Sequence, residues 1–264
     1  MKLLTLNTHS LMENEYEKKL ECFVNFIIRQ TPNIVFLQEV MQPVSAEKAN
    51  VAHMVAGAIA LKEGNHALNV QRALELRGEK YYLAWLGIKK SYDRFDEGLA
   101  ILSKEPYDDI DEILLSPFDD YSNWKTRKAL GVKQRDTWFY NVHMGWWNDN
   151  ESPFQYEITK LLEGAKQEGL TFFAGDYNSA SYDKGYELIL SMGLYDTYAL
   201  AEEKDDGITA VTGIDGWHHK EKNERIRIDY IFTNKKIDVK SSRTVFNGIT
   251  EPTVSDHYGI LINI

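Results

Sequence analysis

The chain has 264 residues and a formal net charge of −10, with 40 Asp and Glu against 30 Lys and Arg. That balance disfavours a protein that grips a nucleic-acid backbone along a broad face, because such binding depends on clustered basic residues, and the pairs Lys18-Lys19, Lys89-Lys90 and Lys235-Lys236 and the group Lys125, Arg127, Lys128 are scattered. A hydrophobic content of 43% suffices for a globular core, no run approaches the roughly 18 apolar residues that cross a bilayer, and the single cysteine has no internal disulfide partner.

In chain order, the apolar run 2–6 ends at Asn7, and it is too short for the core of a secretory signal, so a cytoplasmic protein is expected. Residues 13–31 predict an amphipathic helix: Tyr16, Leu20, Phe23, Val24 and Ile27 share one face, Cys22 fills in as a small buried hydrophobe, and Pro32 follows the end. Residues 34–37 predict a buried strand that delivers Gln38 and Glu39. An irregular stretch with an Ala-rich centre fills 41–65, and a helix is expected at 67–77. Strands are predicted at 81–88, 99–103, 107–115, 129–134, 137–142 and 171–174, helices at 154–168 and 184–192, and final strands at 226–233, 237–245 and 258–264. Runs of strands broken by a few helices imply an α/β sandwich of two packed sheets with helices outside.

Six polar signatures punctuate these elements: Leu6-Asn7, Gln38-Glu39, Asn141-Val142-His143, Gly175-Asp176-Tyr177-Asn178, Arg227-Ile228-Asp229-Tyr230 and Ser255-Asp256-His257. Four directly follow or interrupt a short apolar run, which places polar side chains at strand ends where distant segments converge. Carboxylates at four such ends, with two Asn and two His, are the donor set of a metal-assisted phosphoesterase: hard oxygen ligands for Mg²⁺, or Mn²⁺ as the alternative, and acid–base groups beside them.

The order and spelling of the signatures resemble the endonuclease/exonuclease/phosphatase superfamily, which includes deoxyribonuclease I, abasic-site endonucleases, sphingomyelinases and inositol-polyphosphate 5-phosphatases. The resemblance runs from Asn7 to His257, and the opening residues together with Asn123-Trp124-Lys125-Thr126-Arg127-Lys128 look most like a Firmicute branch containing maltose 6′-phosphate phosphatases. It implies one four-layer α/β/β/α domain over 1–264, since the first and last signatures must meet, with 41–66 as a specificity insertion. It makes Glu39 the main metal ligand with Asn7 and Asp256 beside it, His257 a catalytic residue oriented by Asp229, Asp176 the residue that orients or deprotonates water, and Asn178 a donor to the phosphoryl oxygen. His143 corresponds to a second catalytic histidine, steadied by Glu97 just before a strand, and Arg127 to a phosphate-contacting arginine. His9 stands where deoxyribonuclease I has an arginine, which removes a fixed positive charge.

Each residue also has a plain structural reading: Asp176 closing a turn, Asp229 pairing with Arg225 or Arg227, His143 a satisfied core histidine. Trp146 and Trp147, with Trp124 and Trp217 elsewhere, suit stacking on a sugar or base, or simply partial burial. His53, His66, His218 and His219 match no signature and read as surface or loop residues. The expected function is a phosphomonoesterase acting on a small phosphorylated carbohydrate, without nucleic-acid or membrane partners. The alternatives are a nuclease-like or sphingomyelinase-like phosphodiesterase, and an inactive regulatory module, which normally loses some of the residues that are all present here.

Overall fold

The computed structural model describes residues 1–50, 54–214, 217 and 224–264. The first part of the chain forms β1 (Lys2–Asn7), a 3₁₀ turn at Ser10–Met12, α1 (Tyr16–Gln30), β2 (Ile34–Pro43), β3 (Met54–Ala56), α2 (His66–Glu75), β4 (Tyr82–Ser91) and β5 (Phe95–Ser103). There follow β6 (Asp109–Leu114), β7 (Lys128–Gln134), β8 (Thr137–His143), α3 (Phe154–Gly164), β9 (Leu170–Asp176), α4 (Lys184–Ser191), β10 (Tyr195–Asp196), α5 (Thr197–Leu200) and β11 (Ala201–Lys204). The chain closes with β12 (Ala210–Val211), β13 (Arg225–Ile226), β14 (Asp229–Thr233), β15 (Val239–Val245) and β16 (Gly259–Asn263).

Two large sheets result, ordered β11-β15-β16-β1-β2-β5-β4-β3 and β10-β14-β9-β8-β7-β6. Their central strands, such as β2, β5, β8 and β9, are near-continuously buried because both faces are covered, whereas β6 and β11 at the edges are more polar and more exposed. Between the sheets Phe36, Ile101 and Ile260 meet Phe139, Phe172 and Ile231. On the far side of the first sheet, Phe23 and Ile27 of α1 and Leu68 and Leu74 of α2 pack on Leu4, Val35 and Trp85. On the far side of the second, Phe154, Ile158 and Leu161 of α3 and Ile189 of α4 pack on Tyr140, Phe173 and Phe232. Three apolar interfaces between four layers, two of helices and two of strands, give the expected α/β/β/α sandwich, and each buried Phe contributes about 1.5–3 kcal/mol.

A cluster of carboxamides crosses the central layer. Gln38 Nε2 donates to Asn141 Oδ1 at 2.5 Å, and Asn141 Nδ2 donates to the carbonyls of Leu37 and Ala100, each at 2.9 Å. The Gln and Asn of two signatures thus tie the sheets together below the cavity that their neighbours Glu39 and His143 line.

Several boundaries differ from expectation. Helix α1 begins only at Tyr16, because Glu15 has the left-handed φ of 54°, and α3 stops at Gly164, where Ala165 turns extended. Strand β5 starts at Phe95, which puts Glu97 inside a strand rather than before one. The stretch 202–211, for which no strand is predicted, contributes β12 and most of β11, which extends the first sheet beside β15. Cys22 is only partly buried. His66 is not a surface residue: it opens α2, is 6% exposed, and its Nδ1 lies 3.0 Å from the Tyr16 hydroxyl. His53, His218 and His219 lie outside the described residues. Among the described residues, no helix is long and apolar enough to cross a membrane.

Candidate active site

All six signatures arrive at one edge of the sandwich. Asn7, His143 and Asp176 are the last residues of β1, β8 and β9, and Asp229 is the first of β14. The pairing register fixes their neighbours: in parallel β8 and β9 His143 sits opposite Asp176, and in antiparallel β14 and β9 Asp229 does. Glu39 reaches the edge through a β-bulge, since the register of β2 on β5 shifts between Leu37 and Val40 and Glu39 takes a φ of 50°. Gly175, with a φ of 144°, lets the chain turn before Asp176; a Cβ there would lie 1.9 Å from the Val142 carbonyl oxygen. The last signature is clasped to the first by Ser255 Oγ, which donates to the Asn7 carbonyl at 2.7 Å.

A cavity of about 620 Å³ opens at this edge, with Glu39, His143, Asp176, Asn178, Asp256 and His257 in its wall. Asn7 and Asp229 lie behind them, each 1% exposed. The Asn7 amide donates to Glu39 Oε1 at 2.9 Å and to Asp176 Oδ2 at 3.0 Å, and its own oxygen accepts from His9 N at 3.3 Å. Asp176 does close a turn, Oδ1 accepting from Asn178 N at 2.8 Å, but Oδ2 stands 3.7 Å from His143 Nε2 and 3.8 Å from His257 Nε2. Asp229 Oδ2 lies 3.0 Å from His257 Nδ1, while Arg225 and Arg227 pair elsewhere, with Asp206 and Asp196. Asn178, at a φ of 46°, donates to the Met144 carbonyl at 3.0 Å and lies 3.2 Å from His143 Nε2.

Charge divides the cavity into two halves. On the acidic side, burial and the neighbouring Glu97 and Asp256 raise Glu39 to about 7, and burial together with Asp229 raises Asp176 to about 6. Burial opposes a charge on His257, but Asp229 and Asp176 outweigh it and hold the imidazole well above its ordinary value. On the basic side, burial, Arg127 and Lys89 hold His143 well below its ordinary value. Arg127 is 3% exposed; its guanidinium donates to the Trp124 carbonyl at 3.1 Å and its Nε has no partner.

Lys89 was not visible as a site residue in the sequence, where it read as one of two scattered lysines. It is buried, lines the cavity, pairs with Glu97 at 3.2 Å and donates to the Trp124 carbonyl at 2.8 Å. A bulge in β4 between Gly87 and Lys89 aims it there. Glu97 therefore holds Lys89 rather than steadying His143. Trp217, named above as a ring suited to stacking or partial burial, is 3% exposed in a small cluster with Ile226 and Ile228, and its indole nitrogen lies 3.4 Å from Asn178 Oδ1.

Three expectations about recognition change. Trp147 packs on Phe154 in the outer core, with ring centroids 6.0 Å apart, and takes no part in the cavity wall; the rings that do are Trp146 and Trp124, 5.8 Å apart. His9 lines the cavity and does not remove a positive charge: its hydrogen bond to Glu13, opposed by burial and aided by Asp256 and Glu39, raises it to about 9. None of the described residues of 41–66 lines the cavity; Ile59 covers Gly87 and accepts from the Trp85 indole at 3.1 Å, and Lys62 pairs with Asp96 at 2.8 Å.

Among the described residues, two carboxylate–imidazole groups lie close enough to share an ion, Asp176–Asp229–His257 and His9–Glu13–Asp256, the second of which includes Asp256 of the expected Asn7–Glu39–Asp256 set. Each contains one internal bond, His9–Glu13 and Asp229–His257, and Asp229 Oδ1 is left buried with no partner. Glu39 faces Asp256 and Glu97, relieved by the Asn7 amide and by the charge on His257. Crowded hard oxygens of this kind fit a divalent cation.

A cleft where two buried histidines, crowded carboxylates and a buried arginine converge defines a metal-assisted phosphoric ester hydrolase. The chain belongs to the endonuclease/exonuclease/phosphatase family, whose model matches residues 4–257. A search of curated proteins gave no match. Among solved structures, an endonuclease/exonuclease/phosphatase family protein from Leptotrichia buccalis is 30% identical with a TM-score of 0.89, covering 100% of this chain and 99% of that one. A mannosyl-6-phosphatase from Bacteroides thetaiotaomicron is 16% identical with a TM-score of 0.67, covering 100% of this chain and 98% of that one. A 3′-5′ exonuclease from Neisseria meningitidis is 18% identical with a TM-score of 0.65, covering 100% and 99%. The architecture is thus the deoxyribonuclease I-like fold.

Proposed function

We propose that this protein is a Mg²⁺-dependent phosphomonoesterase whose substrate is a phosphorylated sugar such as maltose 6′-phosphate. The fold does not choose the substrate, since a sugar phosphatase and an exonuclease share it. The observation that supports the reading is the cavity itself, whose wall gathers Arg127, His143, Asn178 and His257 as well as Trp124 and Trp146. Aromatic faces beside a phosphate pocket suit the apolar face of a sugar ring. The overall charge of −10 favours a small substrate over a long polyanion.

In this reading Glu39 and Asp256 hold the cation, with Asn7 orienting Glu39 from behind. When bound, Mg²⁺ supplies Lewis-acid polarisation of the phosphoryl oxygen. Asp176 takes the proton of the attacking water, because its raised affinity for a proton suits a general base. His257, kept charged by Asp229, donates from Nε2 to the phosphoryl group, and Asn178 and Arg127 supply further donors. His143, kept neutral by Arg127 and Lys89, sits beside the leaving oxygen without adding charge. Phosphate release measured with Mg²⁺ over sugar phosphates, nucleotides, 3′-phosphorylated DNA and sphingomyelin tests the proposal. Release from sugar phosphates is expected; activity confined to DNA or to sphingomyelin overturns it.

A further inference from the structure

Lys89 and Lys90 are neighbours in β4, but only Lys89 is buried, with 6% of its surface exposed. Lys90 pairs at 3.2 Å with Asp93, whose side chain is fully exposed. The Lys89 ammonium sits among residues of the cavity wall: it pairs with Glu97 at 3.2 Å and donates to the Trp124 carbonyl at 2.8 Å. Arg127 donates to the same carbonyl at 3.1 Å, so two cations are brought to one point of the wall. The position is central, since the charge of Lys89 is felt at His143 and that of Glu39 is felt at Lys89.

Two cations buried side by side are unfavourable unless anions offset them. Glu97 offsets one. The Arg127 guanidinium donates to the backbone carbonyls of Trp124 and Thr126 and pairs with no carboxylate among the described residues. The pair therefore holds one positive charge in excess, and Lys89 has committed two of its three N–H groups. The phosphoryl group of a monoester has three terminal oxygens and up to two negative charges, whereas that of a diester has two such oxygens and one charge. His257 and a cation on Glu39 approach from the acidic side, which leaves the third oxygen to the basic wall.

We infer that Lys89, beside Arg127, donates its remaining N–H to the third terminal oxygen of a phosphomonoester and thereby selects monoesters over diesters. In a diester that oxygen bears carbon and no charge, and the ammonium faces it without a good acceptor. The inference rests on the phosphomonoesterase reading above and assigns its selectivity to one residue. The readout is the ratio of kcat/KM for p-nitrophenyl phosphate over bis(p-nitrophenyl) phosphate, which share a leaving group. It is measured with Mg²⁺ for the wild type, Lys89→Met and the double variant Lys89→Met, Glu97→Gln. The double variant strands no buried carboxylate, so it decides where the two disagree. A merely structural Lys89 would lower both activities alike and leave the ratio unmoved. The ratio is expected to exceed one in the wild type and to fall roughly 10- to 100-fold without Lys89, the value of a hydrogen bond to a charged group. A wild-type ratio above one that the double variant leaves unchanged overturns the role of Lys89 and spares the monoesterase reading. A wild-type ratio below one overturns that reading, and the selectivity with it. If the double variant loses both activities, titration calorimetry with inorganic phosphate decides: an affinity lower by the same factor upholds the contact, and an unchanged affinity overturns it.

Discussion

His143 and His257 are both buried, and their Nε2 atoms lie 3.7 and 3.8 Å from the same Asp176 oxygen, yet one is held neutral and the other charged. Burial does not distinguish them, since they are 9% and 5% exposed. Their neighbours do: Arg127 and Lys89 beside the first, Asp229 beside the second. His66 provides the baseline, a third buried histidine that burial alone lowers to about 4. Two sheets with similar apolar strands thus deliver chemically opposite imidazoles to one carboxylate, and the sign of the adjacent charge decides between them.

The largest effect is expected from breaking the acidic half at its centre. Glu39→Gln should lower kcat/KM by at least ~10³-fold, several kcal/mol of lost metal-borne stabilisation, and a chelator should reproduce this in the wild type. Steady-state kinetics at ordinary Mg²⁺ checks it, and full activity in the variant would remove Glu39 from the metal site. Asp229→Asn attacks the difference between the histidines directly. It should reduce kcat by ~10²–10⁴ while KM changes little, because His257 loses the partner that orients and charges it. A change confined to KM would make Asp229 a binding residue instead.

The baseline histidine gives a pH prediction. His66 takes up a proton near pH 6.5 when unfolded but only near 4 when folded, so between those values the unfolded chain binds more protons. Its contribution to stability is present above pH 6.5 and is lost as the pH falls towards 4, about 3 kcal/mol in all. Urea unfolding of the wild type and of His66→Gln should show this slope in the first and its absence in the second. Equal slopes would mean that His66 is not titrating as burial dictates.

The smallest effect sharpens the comparison at its aromatic border. Trp146→Ala should weaken a sugar phosphate by ~1–3 kcal/mol, by analogy with stacking on bases, and p-nitrophenyl phosphate by much less. Trp147→Ala should lower Tm through lost core packing and affect both substrates alike. Reversal of the two phenotypes would return Trp147 to the cavity.

Much of this was legible because strand periodicity and six ordered signatures constrain each other. Two packed sheets with helices outside follow from runs of strands broken by a few helices, while the four-layer arrangement and the meeting of Asn7, His143 and Asp176 came from the family resemblance. Lys89 was illegible for a physical reason: a bulge in β4 aims it, and a bulge leaves no cue in the composition. Adjacent residues also diverged. Trp146 and Trp147 look equivalent in sequence, but successive side chains leave the backbone in different directions, one toward the cavity and the other onto Phe154. His66 misled because it lacks a signature, and burial through a helix start is a tertiary event.

The amide contact between Gln38 and Asn141 acts on the sandwich as a dowel acts on two boards. Greasy faces can slide past one another at little cost, and nothing in the packing of Phe36 on Phe139 forbids a shift by one residue pair. A slip of that kind would strand two carboxamides in oil, at about 1–3 kcal/mol for each unpaired group. Alignment is thereby made all-or-none, and with it the meeting of Glu39, which follows one dowelled residue, with His143, two positions past the other. Cutting the pin, for example by Asn141→Leu, would leave every reacting group in place in the sequence while allowing the two halves of the cavity to drift out of alignment.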